Sequence, residues 1–168
     1  MLQCQWLVLA AAAAGILTAL VFAAPFLAPY GAFTGLDGNA GYIDNGWQGH
    51  GIAGFAYLLG DLFCHQEEAR SYVLNGSQMP VCIRDTGILI GATAGFCICT
   101  AIGRRLSDRR FAFLGVTLVL LMAVEWAVEG AVGDMPVPRL VSGIGCGFGA
   151  AVFLGWMLYR DTQNDVVL

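Results

Sequence analysis

The sequence predicts an all-α integral membrane protein with four transmembrane helices and a short interfacial or re-entrant helix. Hydrophobic residues make up 58% of the 168-residue chain and charged residues 12%, against about 45–50% and about 25% in a typical soluble domain. Four apolar stretches are long enough, or nearly so, to cross a hydrocarbon core of about 30 Å. Four arginines gather in one short turn between residues 104 and 110. Such a turn is typical of a cytoplasmic loop between two spans.

The overall composition also limits the class of partner. The chain has no lysine and a formal net charge of −4, whereas proteins that bind nucleic acid need a basic surface. We therefore expect the bilayer as the main partner and no nucleic acid. No long repeat or change of composition divides the sequence, so residues 1–168 are expected to form a single membrane domain.

The first predicted span covers residues 7–28, which carry no charge. A cleaved signal peptide is the alternative, because Ala-Ala-Pro at residues 23–25 resembles a small-residue cleavage site. A signal peptide begins with a positively charged region, but residues 1–6 contain no lysine or arginine. This difference favours a transmembrane anchor.

Residues 31–85 are predicted to form an extramembrane region that precedes the second span. The apolar segment 51–63 would rise only about 20 Å as a helix, which is too short to cross a bilayer. An interfacial or re-entrant helix is therefore favoured. A fifth short span that begins near Trp47 is the alternative, and it would invert the topology upstream of it.

The remaining three spans are predicted at residues 86–102, 111–132 and 140–159. The second contains Gly87, Gly91 and Gly95 at four-residue spacing, and the fourth contains a similar series of glycines. Small residues at this spacing let another helix approach closely. We therefore expect a tight helix contact on each of these two faces.

The topology follows from the arginines. If the turn at residues 104–110 is cytoplasmic, Arg160 is also cytoplasmic, and five arginines lie inside against three outside. Four spans then place the N- and C-termini in the cytoplasm and residues 31–85 on the outer side. The prediction is a multi-pass protein of the cell membrane.

Two acidic residues lie within the third span. Glu125 and Glu129 are four residues apart, so their carboxylates share one face of a helix. Charged groups inside a span usually face the bundle interior and indicate a functional site. Arg84 and Arg139 are their natural partners, and an ion-pair network that fixes the helix ends is the purely structural alternative.

The segment before the second span contains Cys64, His65, Cys82 and Asp85, for which three interpretations remain open. Thiolate, imidazole and carboxylate groups could hold zinc or copper. A disulfide between the two cysteines would contribute roughly 3 kcal/mol in the loop-entropy model. A histidine beside a cysteine could instead lower the thiol pKa for catalysis.

Two short motifs in this segment resemble a known family. They read C-H-Q-x-x-x-R-S, formed by Cys64, His65, Gln66, Arg70 and Ser71, and P-V-C-x-R-x-T-G, which includes Cys82, Arg84, Thr86 and Gly87. The pattern is similar to that of an uncharacterised family of small bacterial and archaeal integral membrane proteins, a domain of unknown function. The resemblance implies a membrane protein and little chemistry. Where the family pattern has a further cysteine, this chain has Asp85.

Two classes of function follow. The first is an accessory or structural subunit whose glycine faces pack on other membrane subunits or on a second copy. The alternative is a metal-binding membrane enzyme or metal-handling protein that uses the Cys-His-Gln and Cys-x-Arg-Asp motifs. A transporter is a weaker third interpretation. Whether the protein is an enzyme stays open, because no complete catalytic set is visible.

Overall fold

The computed structural model describes residues 2–36, 40–43 and 46–160. Within them, four helices are long and apolar enough to cross a membrane, which confirms the predicted fold class. Five α-helices are present in the described part of the chain: α1 Leu2–Leu27, α2 Gly51–Phe63, α3 Ile83–Ile102, α4 Arg109–Val132 and α5 Pro136–Arg160. The short helix α2 corresponds to the segment that the sequence analysis considered too short to span.

The helices are longer than the predicted spans, because polar and proline residues continue them beyond the apolar stretch. Helix α5 begins at Pro136 rather than at residue 140. The first-turn N–H groups of a helix have no intrahelical partner, so proline is tolerated there. Helix α3 begins at Ile83 rather than at residue 86, with Cys82 as its N-cap residue.

The glycine faces join α5 to its two neighbours. A methyl group on Gly91 of α3 would overlap the carbonyl oxygen of Ile144, and one on Gly147 of α5 would overlap that of Ile88. A methyl group on Gly115 of α4 would lie 2.6 Å from the carbonyl oxygen of Gly149. Helix α5 therefore packs closely on both α3 and α4. The glycine series found in the sequence therefore form contacts between helices of the same chain.

Helix α1 packs against the other side of α3. The hydroxyl oxygens of Thr18 and Thr93 lie 3.0 Å apart, and Leu7 joins a buried cluster with Cys99 and Tyr159. This cluster lies at the end of the bundle that holds the arginine-rich turn, residues 103–110. We call the opposite end, where α3 and α5 begin and α1 and α4 finish, the motif end.

A small folded unit covers the motif end. It includes α2, a 3-10 turn at Glu68–Arg70, and an antiparallel hairpin of β1 Val73–Leu74 and β2 Ser77–Gln78. The hairpin turn is Asn75-Gly76, and both residues have positive φ, 50° and 68°, as a two-residue type I′ turn requires. The sequence analysis did not predict this hairpin, although Asn-Gly is its strongest local signal.

Candidate metal centre

A buried glutamine ties together the two segments that carry Cys64 and Cys82. Gln66 is fully buried, and its Nε2 donates to the carbonyl oxygens of Tyr57 at 3.1 Å and Pro80 at 2.8 Å. The backbone carbonyl oxygen of Gln66 accepts a hydrogen bond from the side-chain amide of Gln78. These bonds replace hydration that the buried groups have lost. They fix the position of one cysteine segment relative to the other.

The two thiols and a carboxylate meet at the start of α3. The backbone N–H of Cys82 donates to Sγ of Cys64 at 3.2 Å, and Sγ of Cys82 donates to Oδ2 of Asp85 at 3.3 Å. One donor atom from each of the three residues lies within 4.8 Å of the other two. Cys64 is only 4% exposed. The arrangement is a compact set of three potential metal ligands.

The two thiols are not equivalent. A hydrogen bond between the side chains of Cys64 and Cys82, together with burial, raises the pKa of the Cys64 thiol. The same hydrogen bond lowers the pKa of the Cys82 thiol, and the N-terminus of α3 also favours a negative charge at this position. Metals bind cysteine as the thiolate, and the lowered pKa favours that form at Cys82.

His65 lies apart from this three-donor group. Its side chain is exposed, and it lines the same cavity as the cysteines without belonging to the cluster of donor atoms. Of the four metal ligands proposed from the sequence, the structure brings together Cys64, Cys82 and Asp85. Both cysteines are free thiols, so their disulfide stays a prediction.

An ion-pair network connects α3, α4 and α5 beside the thiols. Glu129 is 7% exposed and accepts bonds from NH2 of Arg139 at 2.5 Å and NH2 of Arg84 at 2.6 Å. Arg84 also contacts Glu125 at 3.1 Å, and the hydroxyl of Ser142 donates to the same carboxylate at 2.9 Å. Both glutamates thus contact arginines that the sequence analysis named as their partners.

The network continues out of the bundle into the covering unit. Oδ1 of Asp134 lies 2.8 Å from NH2 of Arg139 and 3.0 Å from Nε of Arg70. NH1 of Arg70 in turn lies 3.1 Å from Glu67. Sequence reasoning did not include Glu67 or Ser142 among the site residues. Ser142 could not have been identified from local spacing, because its partner Glu125 lies on another helix, whereas Glu67 and Arg70 are only three residues apart.

The remaining motif residues have structural roles. The hydroxyl of Ser71 donates to the carbonyl oxygen of Glu67 at 2.8 Å. The hydroxyl of Thr86 donates to the carbonyl oxygen of Cys82 at 2.9 Å. A methyl group on Gly87 would lie 2.5 Å from the carbonyl oxygen of Leu140. Ser71 thus closes the turn in the covering unit, while Thr86 and Gly87 shape the first turn of α3 and its contact with α5.

A cavity of about 400 Å³ opens beside the thiols. Its lining combines the donor group with three arginines and two exposed aromatic residues. The residues that line it are Phe63, Cys64, His65, Glu67, Arg70, Cys82, Arg84, Asp85, Trp126 and Arg139. A metal held by the three donors would therefore face a space large enough for a small ligand.

Comparison with known proteins shows that this region matches a family of membrane proteins. The family described as "Predicted membrane protein (DUF2085)" matches residues 64–153, a range that begins at Cys64 and includes Arg139. Uncharacterized protein MJ1492 of Methanocaldococcus jannaschii is 32% identical over 105 residues, which cover 62% of this chain and 60% of that protein. No solved structure matches the chain.

Proposed function

The chain belongs to the DUF2085 family of predicted membrane proteins, and we propose that it is a zinc-binding membrane protein. The observation that carries this proposal is the approach of Cys64, Cys82 and Asp85, whose donor atoms lie within 4.8 Å of one another. Two of these residues are 18 positions apart in the sequence. Their meeting therefore depends on the buried Gln66 rather than on local helix geometry.

The distances suit a single ion. Two sulfur atoms bound tetrahedrally to one zinc at about 2.3 Å each lie about 3.8 Å apart, and the three donor atoms here all lie within 4.8 Å of one another. Two thiolates with a carboxylate favour zinc over copper(I), which prefers sulfur ligands alone. Three protein ligands leave the fourth position open toward the cavity, as in catalytic zinc sites. We expect water or a ligand there, and His65 outside the coordination sphere.

The accessory-subunit interpretation receives less support. It depended on glycine faces that would hold partner helices, but Gly87, Gly91 and Gly95 all pack on α5 of the same chain. The ion pairs among Arg84, Glu129 and Arg139 likewise close within the chain. Neither feature calls for a second protein.

We also place the motif end on the extracytoplasmic side, with both termini in the cytoplasm. The arginines at the motif end are each paired with at least one carboxylate within 3.1 Å. At the other end, the one described ion pair of the arginine-rich turn is the exposed contact between Arg110 and Asp108 at 3.8 Å. The count also differs: five arginines, including Arg160, lie at that end against three at the motif end, so the positive-inside rule favours a cytoplasmic arginine-rich turn.

Metal content tests the proposed function directly. We expect about one zinc per chain in the purified wild-type protein, because the three donors converge on one position. Cys82→Ser should lose most of this zinc, because serine does not replace a thiolate as a soft ligand. The measurement is elemental analysis of the detergent-purified chain with free thiols counted in the same samples.

Two variants serve as controls. Cys97→Ser removes an exposed thiol inside α3 and should retain the zinc. His65→Ala should also retain it, since His65 is outside the donor group. Wild-type protein without zinc, or equal zinc in Cys82→Ser, would contradict the proposal. Copper in place of zinc would correct the identity of the metal and keep the site.

Cysteine labelling tests the orientation. A membrane-impermeant maleimide should label Glu68→Cys in intact cells, because residue 68 is exposed at the motif end. It should label Ser107→Cys, in the arginine-rich turn, only after lysis. Both variants are compared with the wild-type protein, which reports labelling of the natural thiols. The reverse pattern would place the motif end in the cytoplasm.

A further inference from the structure

Three arginines line the cavity beside the candidate zinc site, while most of the acids that pair with them do not. Arg70, Arg84 and Arg139 all line the cavity. Their partners Glu125, Glu129 and Asp134 are not among its lining residues. Glu125, Glu129 and Asp134 thus hold the guanidinium groups without lining this cavity, although Glu129 and Asp134 line a neighbouring one. Two acids do line it: Glu67, which pairs with Arg70 at 3.1 Å, and Asp85, which belongs to the zinc-ligand group.

Two of these arginines keep donors that have no acceptor. All described side-chain bonds of Arg84 come from NH2, and so do those of Arg139. The Nε of each is buried and has no hydrogen-bond partner among the described residues. A buried donor without an acceptor destabilises the fold, because it has lost its hydration without a replacement bond. These arginines therefore have unused capacity for a ligand with several acceptor oxygens.

The aromatic residues show at which depth the cavity opens. Trp126 is 66% exposed and Phe63 is 79% exposed, and both line the cavity. Trp126 lies six residues before the end of α4 at Val132, about 9 Å along the helix. Tryptophan is enriched at the level of the lipid headgroups. The cavity is thus positioned where a headgroup or a small solute could enter.

We infer that this cavity binds an oxyanion of the phosphate class, held by Arg70 and Arg84 beside the open position of the zinc. Planar guanidinium groups bind phosphate through paired charge-assisted hydrogen bonds. The inference rests on the proposed zinc site, since the open position of the ion could accept an oxygen of the anion. The phosphate group can belong to a free ion or to a lipid headgroup.

Tryptophan fluorescence of the full chain can test this inference. The protein is purified in a maltoside detergent, which carries no phosphate, and its zinc content is measured. One arm titrates inorganic phosphate, and the other titrates dihexanoyl phosphatidic acid, with dihexanoylglycerol as the lipid without phosphate. We expect a saturable change that is absent in Trp126→Phe, which identifies the reporting side chain.

Arginine variants show whether the response comes from this cavity. Arg70→Gln should weaken binding about tenfold or more, as expected for the loss of a charge-assisted hydrogen bond. Arg105→Gln is the matched control at the arginine-rich turn and should leave the affinity unchanged. Arg70 is 45% exposed and is not part of the buried core, so Arg70→Gln leaves that core intact. Equal affinity in Arg70→Gln would overturn the inference.

The two arms also separate the possible outcomes. Saturation with both phosphate compounds indicates a free oxyanion site, and saturation with phosphatidic acid alone indicates a lipid headgroup site. A zinc-loaded chain that saturates with neither overturns the oxyanion inference and leaves the zinc proposal intact. A chain that binds phosphate through Arg70 but contains no zinc retains the oxyanion site and rejects the zinc.

Discussion

Gly91→Ala is expected to destabilise the helix bundle by about 3 kcal/mol, near the upper end of the usual cost of overpacking. The added methyl group would overlap the carbonyl oxygen of Ile144 and approach the backbone nitrogen of Phe148 to 2.9 Å. Both obstacles are backbone atoms of α5, which cannot rotate away as a side chain can. The two helices must therefore separate along the whole contact.

The measurement is unfolding of the purified protein in mixed micelles of maltoside and dodecyl sulfate, followed by circular dichroism. Gly130→Ala is the matched control, because a methyl group there meets nothing within 4 Å. Its stability should change by less than about 1 kcal/mol, the difference in helix propensity between glycine and alanine. If both variants unfold at the same detergent fraction, the close contact between α3 and α5 is wrong.

Glu129→Gln is expected to destabilise the protein by about 3 kcal/mol, because removal of one member of a buried ion pair leaves the other charge unpaired. Glu129 connects Arg84 on α3 with Arg139 on α5. Arg139 is 3% exposed and would keep only Asp134 as a charged partner. Glutamine preserves the shape of the side chain, so the effect reports on the charge.

A double-mutant cycle with Arg139→Gln isolates the pair. We expect a coupling energy of about 1–3 kcal/mol, the range for residues that share a network. Glu125→Gln is the control, since its carboxylate bonds one arginine and the hydroxyl of Ser142, and it should cost less. A coupling energy near zero would show that Glu129 and Arg139 do not stabilise each other.

The sequence predicted four membrane-spanning helices correctly, because a bilayer imposes a length and an apolar composition that can be read locally. The partners of Glu125 and Glu129 were also predictable. A carboxylate inside a span needs a cation, and Arg84 and Arg139 lie near the same helix ends. The glycine faces were recognised, but spacing alone does not say whether the helix that fills them belongs to the same chain.

The covering unit was the least predictable part of the protein. Its shape depends on Gln66 and Gln78, whose amides bond backbone groups up to 42 residues away in the sequence. A glutamine in a polar segment carries no local sign of burial, because its bonds depend on where distant segments fold. The sequence analysis grouped His65 with Cys64 because the two residues are adjacent in the chain. Adjacent residues in an extended segment point in different directions.

The charges on α4 and α5 have a consequence for membrane insertion. Helix α4 carries two carboxylates, and the arginine that neutralises Glu129 most closely lies on α5, beyond a connection of three residues. Without α5, helix α4 would enter the bilayer with both carboxylates only partly neutralised by Arg84. Insertion of a charged residue costs up to about 2.5–3.5 kcal/mol when it lies at the helix centre. The translocation machinery should therefore release α4 and α5 together as a helical hairpin. The site at the motif end is then completed only when α5 has been synthesised.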